Sequence, residues 1–276
     1  MRKCQVQLFT TLILVIEMKR NQLIALLMFL VNAIYAQNID FRTRPWLKEY
    51  AIVLDAYRLN DINYTKLNEE TKVKAIIFKA CDGKNVDVKY HESKKIAKSN
   101  GYLVASYHLG RKGDPVGQAD FYLAQIADGI NEPMALDIEK IGGNNISLSN
   151  AILFVNRIFE KTGKYPMIYM NNAVFEAINS KYDRKSVFAK CDLWYARFRE
   201  VLPPLSTKIW DKVTLWQFAC EINCQVCLET DVDKKCIKRA PKYTENCPLK
   251  VKVTLYDMDV NAFNGDLEQL KTFWQK

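Results

Sequence analysis

Histidine is almost missing from this chain: His91 and His108 are the two among 276 residues. No serine lies between the glycines of a nucleophile elbow, so no Ser-His-Asp arrangement can be defended. Glycine is sparse too, ten in all, and no Gly-rich phosphate loop follows the first apolar run. That argues against a doubly wound nucleotide-binding sheet. Internal repeats and low-complexity segments are also absent.

The N-terminus reads as a leader rather than as part of a fold. Met18-Lys19-Arg20 is a basic n-region, Leu23 to Val31 an apolar h-region, and Ala33-Ile34-Tyr35-Ala36 offers a small residue for cleavage. A further apolar stretch, Leu8 to Ile16, precedes it, so residues 1–36 are expected to be a signal peptide, with Met18 as an alternative start. The h-region is short for a span of ~20 residues; no stable membrane anchor is expected after cleavage, and the chain is read as secreted or periplasmic. Residues 37–276 suit one large domain, expected to be a monomer. Loss of Arg2, Lys3, Glu17, Lys19 and Arg20 lowers the formal charge from +9 to +6. A basic exported protein suits an anionic envelope polymer. The basic residues are scattered rather than clustered with aromatics, which disfavours a nucleic-acid groove.

Seven cysteines follow the leader, and five crowd into Cys220 to Cys247. In an oxidising compartment such crowding predicts disulfides stapling a polar insertion, residues 219–250. Cys224-x-x-Cys227 also has the spacing of zinc ligands. The odd total leaves at least one thiol unpaired or pairing between chains.

Eight short apolar runs read as strands: Tyr50 to Leu54, Ala75 to Phe78, Tyr102 to Ser106, Met134 to Leu136, Met167 to Tyr169, Leu193 to Ala196, Val213 to Trp216 and Val253 to Tyr256. Helical patterns separate the early ones. Tyr90 to Asn100 is amphipathic and stops at Gly101; Asp114-Pro115 caps a helix striped by Ala119, Tyr122, Leu123 and Ile126. Ser149 can cap the next, which ends at Gly163, and Asn63 to Thr71, Asn172 to Ser180 and Glu268 to Trp274 complete the set. Alternation through five strands, then strands with little helix between, predicts a parallel α/β barrel with an irregular last third.

The C-terminal edges of these strands carry the polar groups: Asp55, Lys79 with Asp82, Tyr107-His108, Asp137 with Glu139, Tyr169 with Asn171, Tyr195 with Arg197, Trp216-Gln217, and Asp257 with Asp259. In a barrel those edges meet at one mouth, where such folds do their chemistry. Met134-Ala135-Leu136-Asp137-Ile138-Glu139 stands out, because strand alternation puts the two acids on one side, about 7 Å apart. An acidic strand end in solvent is the plain alternative. Paired acids are costly unless one must keep its proton and the other must not, as in glycosidic-bond cleavage. Aromatic faces at the mouth suit sugar rings. A carboxylate cluster could instead hold Mg²⁺ or Ca²⁺ for phosphoester hydrolysis.

In order and spacing, these motifs resemble glycoside hydrolase family 25, the Chalaropsis-type lysozymes or N-acetylmuramidases. The resemblance runs from about Tyr50 to Gly265. Its parts are Val53-Leu54-Asp55, Ile77 to Gly83, Tyr107-His108, Gln118-Ala119 with Phe121, Leu136 to Glu139, Ile168-Tyr169, Leu193 to Ala196, Leu215 to Phe218, and Met258 to Asn261 with Phe263. It implies a single-domain, TIM-like (β/α)5(β)3 barrel, here with a Cys-rich insertion before the last strand. It also implies cleavage of the β-1,4 bond between N-acetylmuramic acid and N-acetylglucosamine of a peptidoglycan strand, with retention and without cofactor or metal. On that resemblance Glu139 is the general acid/base, held by neighbouring carboxylates and partial burial at a raised pKa. Asp137 is its partner, Asp55 and Asp259 complete the acids, and Lys79, Tyr107, His108, Tyr169, Tyr195, Trp216 and Gln217 are substrate-binding. Two departures stand out: Ala56 to Asp61 replaces the family's Ser and Gln-Gly turn, and Asp82 replaces a longer acid.

Overall fold

The computed structural model describes residues 41–69, 72–220, 225–230, 232, 236–241 and 259–275. The segment 1–36 and the run Val253 to Tyr256 lie outside these residues. The strands are β1 (Ile52–Ala56), β2 (Val73–Asp82), β3 (Asn85–Val86), β4 (Leu103–Leu109), β5 (Met134–Ile138), β6 (Met167–Asn171), β7 (Leu193–Ala196), β8 (Leu215–Ala219), β9 (Gln225–Thr230), β10 (Cys236–Pro241) and β11 (Asp259–Phe263). The helices are α1 (Tyr64–Leu67), α2 (Tyr90–Ser99), α3 (Pro115–Gln125), α4 (Leu148–Thr162), α5 (Asn172–Lys181) and α6 (Leu267–Trp274).

Eight strands close into a barrel in the order β1-β11-β8-β7-β6-β5-β4-β2, because β1 also pairs with β2. The junctions from β1 through β8 are parallel, and β11 is antiparallel to both its neighbours. This is the TIM-like mixed barrel, with helices on the outside. The eighth barrel strand is β11. It runs the other way, so its first residue, Asp259, reaches the mouth and stands opposite Asp55 in register. Between β8 and β11, β9 and β10 form a separate antiparallel hairpin in the Cys-rich stretch.

Local sequence sets the helix ends. Asp114 accepts from the Gly117 N–H ahead of α3, with proline in the first turn. Ser147, not Ser149, caps α4 by accepting from Asn150 N–H; Leu148 is thus already helical and buried. Gly163 ends α4 in the left-handed region at φ 70°, where a side chain would be strained. The hydrogen-bonded core of α1 is a single turn, since only Leu67 of it is buried.

Strand alternation divides the buried residues into two layers. Val53, Ala75, Ile77, Ala105, Tyr107, Ala135, Met167, Trp194, Leu215 and Phe263 fill the barrel, with Leu270 and Trp274 of α6 packed on them from its lower end. Leu54, Ile76, Phe78, Leu136, Ile138, Ile168, Met170, Tyr195, Trp216 and Phe218 face the helices. Cys81 and Cys191 are buried, unpaired thiols, and burial with the nearby Asp87 charge pushes Cys81 up to about 12. Cys224 and Cys247 lie outside the described residues, as do the side chains of Cys227 and Cys236.

Candidate active site

Most inward positions at the upper ends of the strands are polar or aromatic, Leu109 on β4 and Ala196 on β7 being aliphatic. Asp55 is the next-to-last residue of β1, Asp137 and Glu139 stand at the end of β5, Tyr169 lies on β6, Gln217 on β8, and Asp259 begins β11. These groups are wired together. Gln217 Nε2 donates to Asp55 Oδ2 at 3.0 Å and to Asp259 Oδ2 at 3.3 Å, while Tyr169 Oη donates to Gln217 Oε1 at 2.8 Å. Asn261, two residues beyond Asp259 and so on the same face, donates through Nδ2 to Asp55 Oδ2 at 2.7 Å and to the Val53 carbonyl at 3.0 Å. Its own Oδ1 accepts from Trp194 Nε1 at 2.6 Å.

The electrostatics follow from this crowding. Burial pushes Asp55 up to about 6, against the pull of hydrogen bonds from Asn261, Gln217 and Asp259. Burial, then the Glu139 charge, drives Asp137 well above the usual carboxylate range, opposed by Lys79 and Arg111. Asp137 Oδ1 is buried with no hydrogen-bond partner among the described residues. The Tyr169 hydroxyl is raised by burial and then by the charges of Asp137, Asp55, Asp259 and Glu139; all four acids bear on one phenol. Glu139 is exposed rather than partly buried, and its backbone carbonyl accepts from Asn171 Nδ2 at 2.6 Å. Asn171 also caps α5 through Val174 N–H. The buried member of the pair is therefore Asp137, because β5 carries it into the barrel while Glu139 stands above the last strand residue.

Among the expected ligand-facing groups, Lys79, Tyr107, Tyr169 and Gln217 share the inward face with the acids. Lys79 Nζ lies 5.3 Å from the centre of the Tyr57 ring. The structure does not bring His108, Tyr195 or Trp216 to them. His108 faces outward between Tyr122 and Phe154, and burial lowers its imidazole to about 4. Tyr195 Oη donates to Asn172 Oδ1 at 2.6 Å on α5, and Trp216 packs near Phe41 and Trp46 with Nε1 on the Arg197 carbonyl at 2.7 Å. The reason is period two: each is the immediate neighbour of an inward residue, so both cannot face the mouth. Trp194, Asn261 and Asn171 are the groups that sequence reasoning left without a role. Spacing of two from Ala196, Asp259 and Tyr169 was the signal available for them.

Among the described residues no three His, Cys, Asp or Glu side chains stand as a metal-binding group.

Solved structures share this fold. They include the muramidase of Trichobolus zukalii (23% identity, TM-score 0.59), a family GH25 lysozyme of Aspergillus fumigatus (21%, 0.60) and a lysozyme of Streptomyces coelicolor (18%, 0.61). Each match covers 82% of this chain, and 99%, 99% and 97% of the respective structures. Over 89 residues the chain is 30% identical to the N,O-diacetylmuramidase of a Chalaropsis species, a stretch spanning 42% of that protein and 27% of this one. The barrel, its acid-lined mouth and a match of the glycosyl hydrolase family 25 pattern to residues 54–225 agree: the chain belongs to glycosyl hydrolases family 25.

Proposed function

We propose that the protein is an exported peptidoglycan hydrolase that cleaves the β-1,4 bond between N-acetylmuramic acid and N-acetylglucosamine with retention. Glu139 serves as general acid/base and Asp137 as its partner, while Asp55 and Asp259 shape the charge of the pocket. Lys79, Tyr107, Tyr169 and Gln217 line it for the glycan. The observation that carries this reading is the asymmetric acid pair: one carboxyl buried and driven upward, its neighbour exposed beside it. On this reading the pair shares one proton, because the Glu139 charge raises Asp137. A glycan laid across the mouth would strip water from Glu139, while an N–H of the substrate's 2-acetamido group would donate to the bare Oδ1 of Asp137. Both changes move the shared proton to Glu139, from which it passes to the leaving oxygen. The acetamido oxygen, steadied through that contact, can then attack the anomeric carbon in place of a protein nucleophile. The diacetylmuramidase relative supports the substrate class. Export through residues 1–36, disulfides within Cys220 to Cys247, and action as a monomer belong to the same proposal.

Digestion of purified peptidoglycan with analysis of the new reducing ends tests it. N-acetylmuramic acid ends are expected, and Glu139→Gln is expected to lower turnover by about 10²- to 10⁴-fold while wall binding persists. N-acetylglucosamine ends, or near-normal turnover of that variant, would defeat the assignment. A second reading, a glycan-binding barrel of weak turnover, draws on the first loop. There Asn60 closes a turn onto Tyr57, and Asp87 accepts from the Arg58 N–H at 3.0 Å, where the family pattern has a Gln-Gly turn. Binding without new ends would favour it.

A further inference from the structure

Arg111 sits at the rim beyond β4, and an unusual number of contacts fix it there. Its N–H donates to Gln118 Oε1 and its carbonyl accepts from Gln118 Nε2, both at 2.9 Å. Its backbone also bridges to Asn145. The guanidinium forms a two-pronged ion pair with Asp82, Nη2 to Oδ2 at 2.8 Å. Gly83 holds φ +58°, and a Cβ there would stand 3.1 Å from Arg111 Cγ; glycine thus leaves room for the arginine stem. The residue before it, Gly110, donates its N–H to the Asp137 carbonyl at 3.0 Å. A lone surface ion pair would hardly repay ordering a side chain so completely.

We propose that Arg111 is a positioning residue for the acid pair: clamped by Asp82 and Gln118, its guanidinium governs how readily Asp137 and Glu139 release their shared proton. The inference rests on the reading of that pair as the reacting acids. The charged and titratable groups facing the pair are Lys79 from β2, Asp55 from β1, Tyr107 from β4, Tyr169 from β6, Asp259 from β11, and Arg111 itself. Among the described residues, Lys79 and Arg111 are cations that act on Asp137. Arg111 is in turn raised by Asp82 and by the charges of Glu139 and Asp137, so the guanidinium is the member of the clamp coupled to both acids.

Because the clamp is itself a charge pair, its two halves act with opposite signs. Arg111→Gln removes the cation and leaves Asp82 charged, so the acids keep their protons to higher pH. Asp82→Asn leaves the guanidinium uncompensated, so they release protons at lower pH. Carboxyl titration of the full chain labelled with carbon-13 reads this directly at Asp137 and Glu139. The midpoints are expected to rise by about half a pH unit or more in Arg111→Gln and to fall in Asp82→Asn, with Arg111→Lys staying near the wild type. The limbs of the pH–rate profile on peptidoglycan should move in the same directions. Midpoints that stay put in both variants, or move together, would overturn the inference. A wild-type protein that makes no new reducing ends would instead sink the hydrolase reading and leave the titration to decide this one.

Discussion

The two faces of the same eight strands are built to opposite ends. Tyr107 and His108 are adjacent on β4, yet one shares the barrel interior with the acids and the other is enclosed by Tyr122 and Phe154. Inward polar groups are held at an electrostatic cost: Asp55 and Asp137 are both driven upward, and Asp137 keeps an oxygen without a partner among the described residues. Buried outward polar groups are neutral, and some find local partners, as Trp216 does on the Arg197 carbonyl and Tyr195 on Asn172, while His108 Nδ1 and Trp46 Nε1 have none among the described residues. One face keeps unresolved charge where chemistry can use it, and the other supplies the packing that holds it there.

The largest test of that division is on the outer face. Trp216 is fully buried among Phe41, Trp46 and Phe218. Trp216→Ala should cost about 3–5 kcal/mol in urea unfolding while kcat/KM of the protein that remains folded changes little. Lost turnover at unchanged stability would mean that the outer face takes part in the chemistry.

The faces should also separate by pH. His108 falls from 6.5 to about 4, so the folded state binds fewer protons there than the unfolded chain. Its stabilisation is complete above pH 6.5 and fades as pH falls toward 4, about 3 kcal/mol in all. Asp55 rises from 3.8 to about 6, so the folded state binds more protons there. Its penalty is absent below pH 3.8 and grows to about 3 kcal/mol as pH climbs to 6. In the wild type the two run against each other over the same window, with Asp137 on the side of Asp55. His108→Gln should therefore gain stability, relative to wild type, as pH drops from 6.5 to 4, and Asp55→Asn should lose it. Urea unfolding across that range checks both, and slopes of the same sign in the two variants would contradict the burial assigned to one of them.

Much of this was legible beforehand because strand, turn and cap signals are local. Asp114-Pro115, Gly163 and the apolar runs marked their elements within a few residues. The acids were legible because a carboxylate at the end of an apolar run has few structural uses. The phase of the aromatic strands was not. Leu193-Trp194-Tyr195-Ala196 and Leu215-Trp216-Gln217-Phe218 are buried on both faces, so composition gives no alternation to count. Adjacent pairs such as Trp216 and Gln217 then looked equally suited to the mouth. The eighth strand hid for another reason: β11 runs antiparallel, so its acid stands at its start rather than its end. Arg111 was invisible because its role depends on Asp82 and Gln118, brought to it by two different elements. Glu139 was expected to be partly buried, but it stands beyond the last residue of β5, two residues above the buried Asp137.

The smallest effect gives the cleanest comparison, since it pits two tyrosines on neighbouring strands against each other. Tyr169 and Tyr195 each donate one hydrogen bond, to Gln217 Oε1 at 2.8 Å and to Asn172 Oδ1 at 2.6 Å. Replacing either with phenylalanine keeps the ring and should cost about 1 kcal/mol of stability. Only the inner one should touch the reaction. The Tyr169 hydroxyl fixes the Gln217 amide, and with it the direction in which Nε2 faces Asp55 and Asp259. Tyr169→Phe should therefore lower kcat/KM by roughly three- to tenfold, the rate equivalent of about one such hydrogen bond, whereas Tyr195→Phe should leave it unchanged. Equal losses of turnover in the two variants would show that the face a side chain takes does not by itself assign its work.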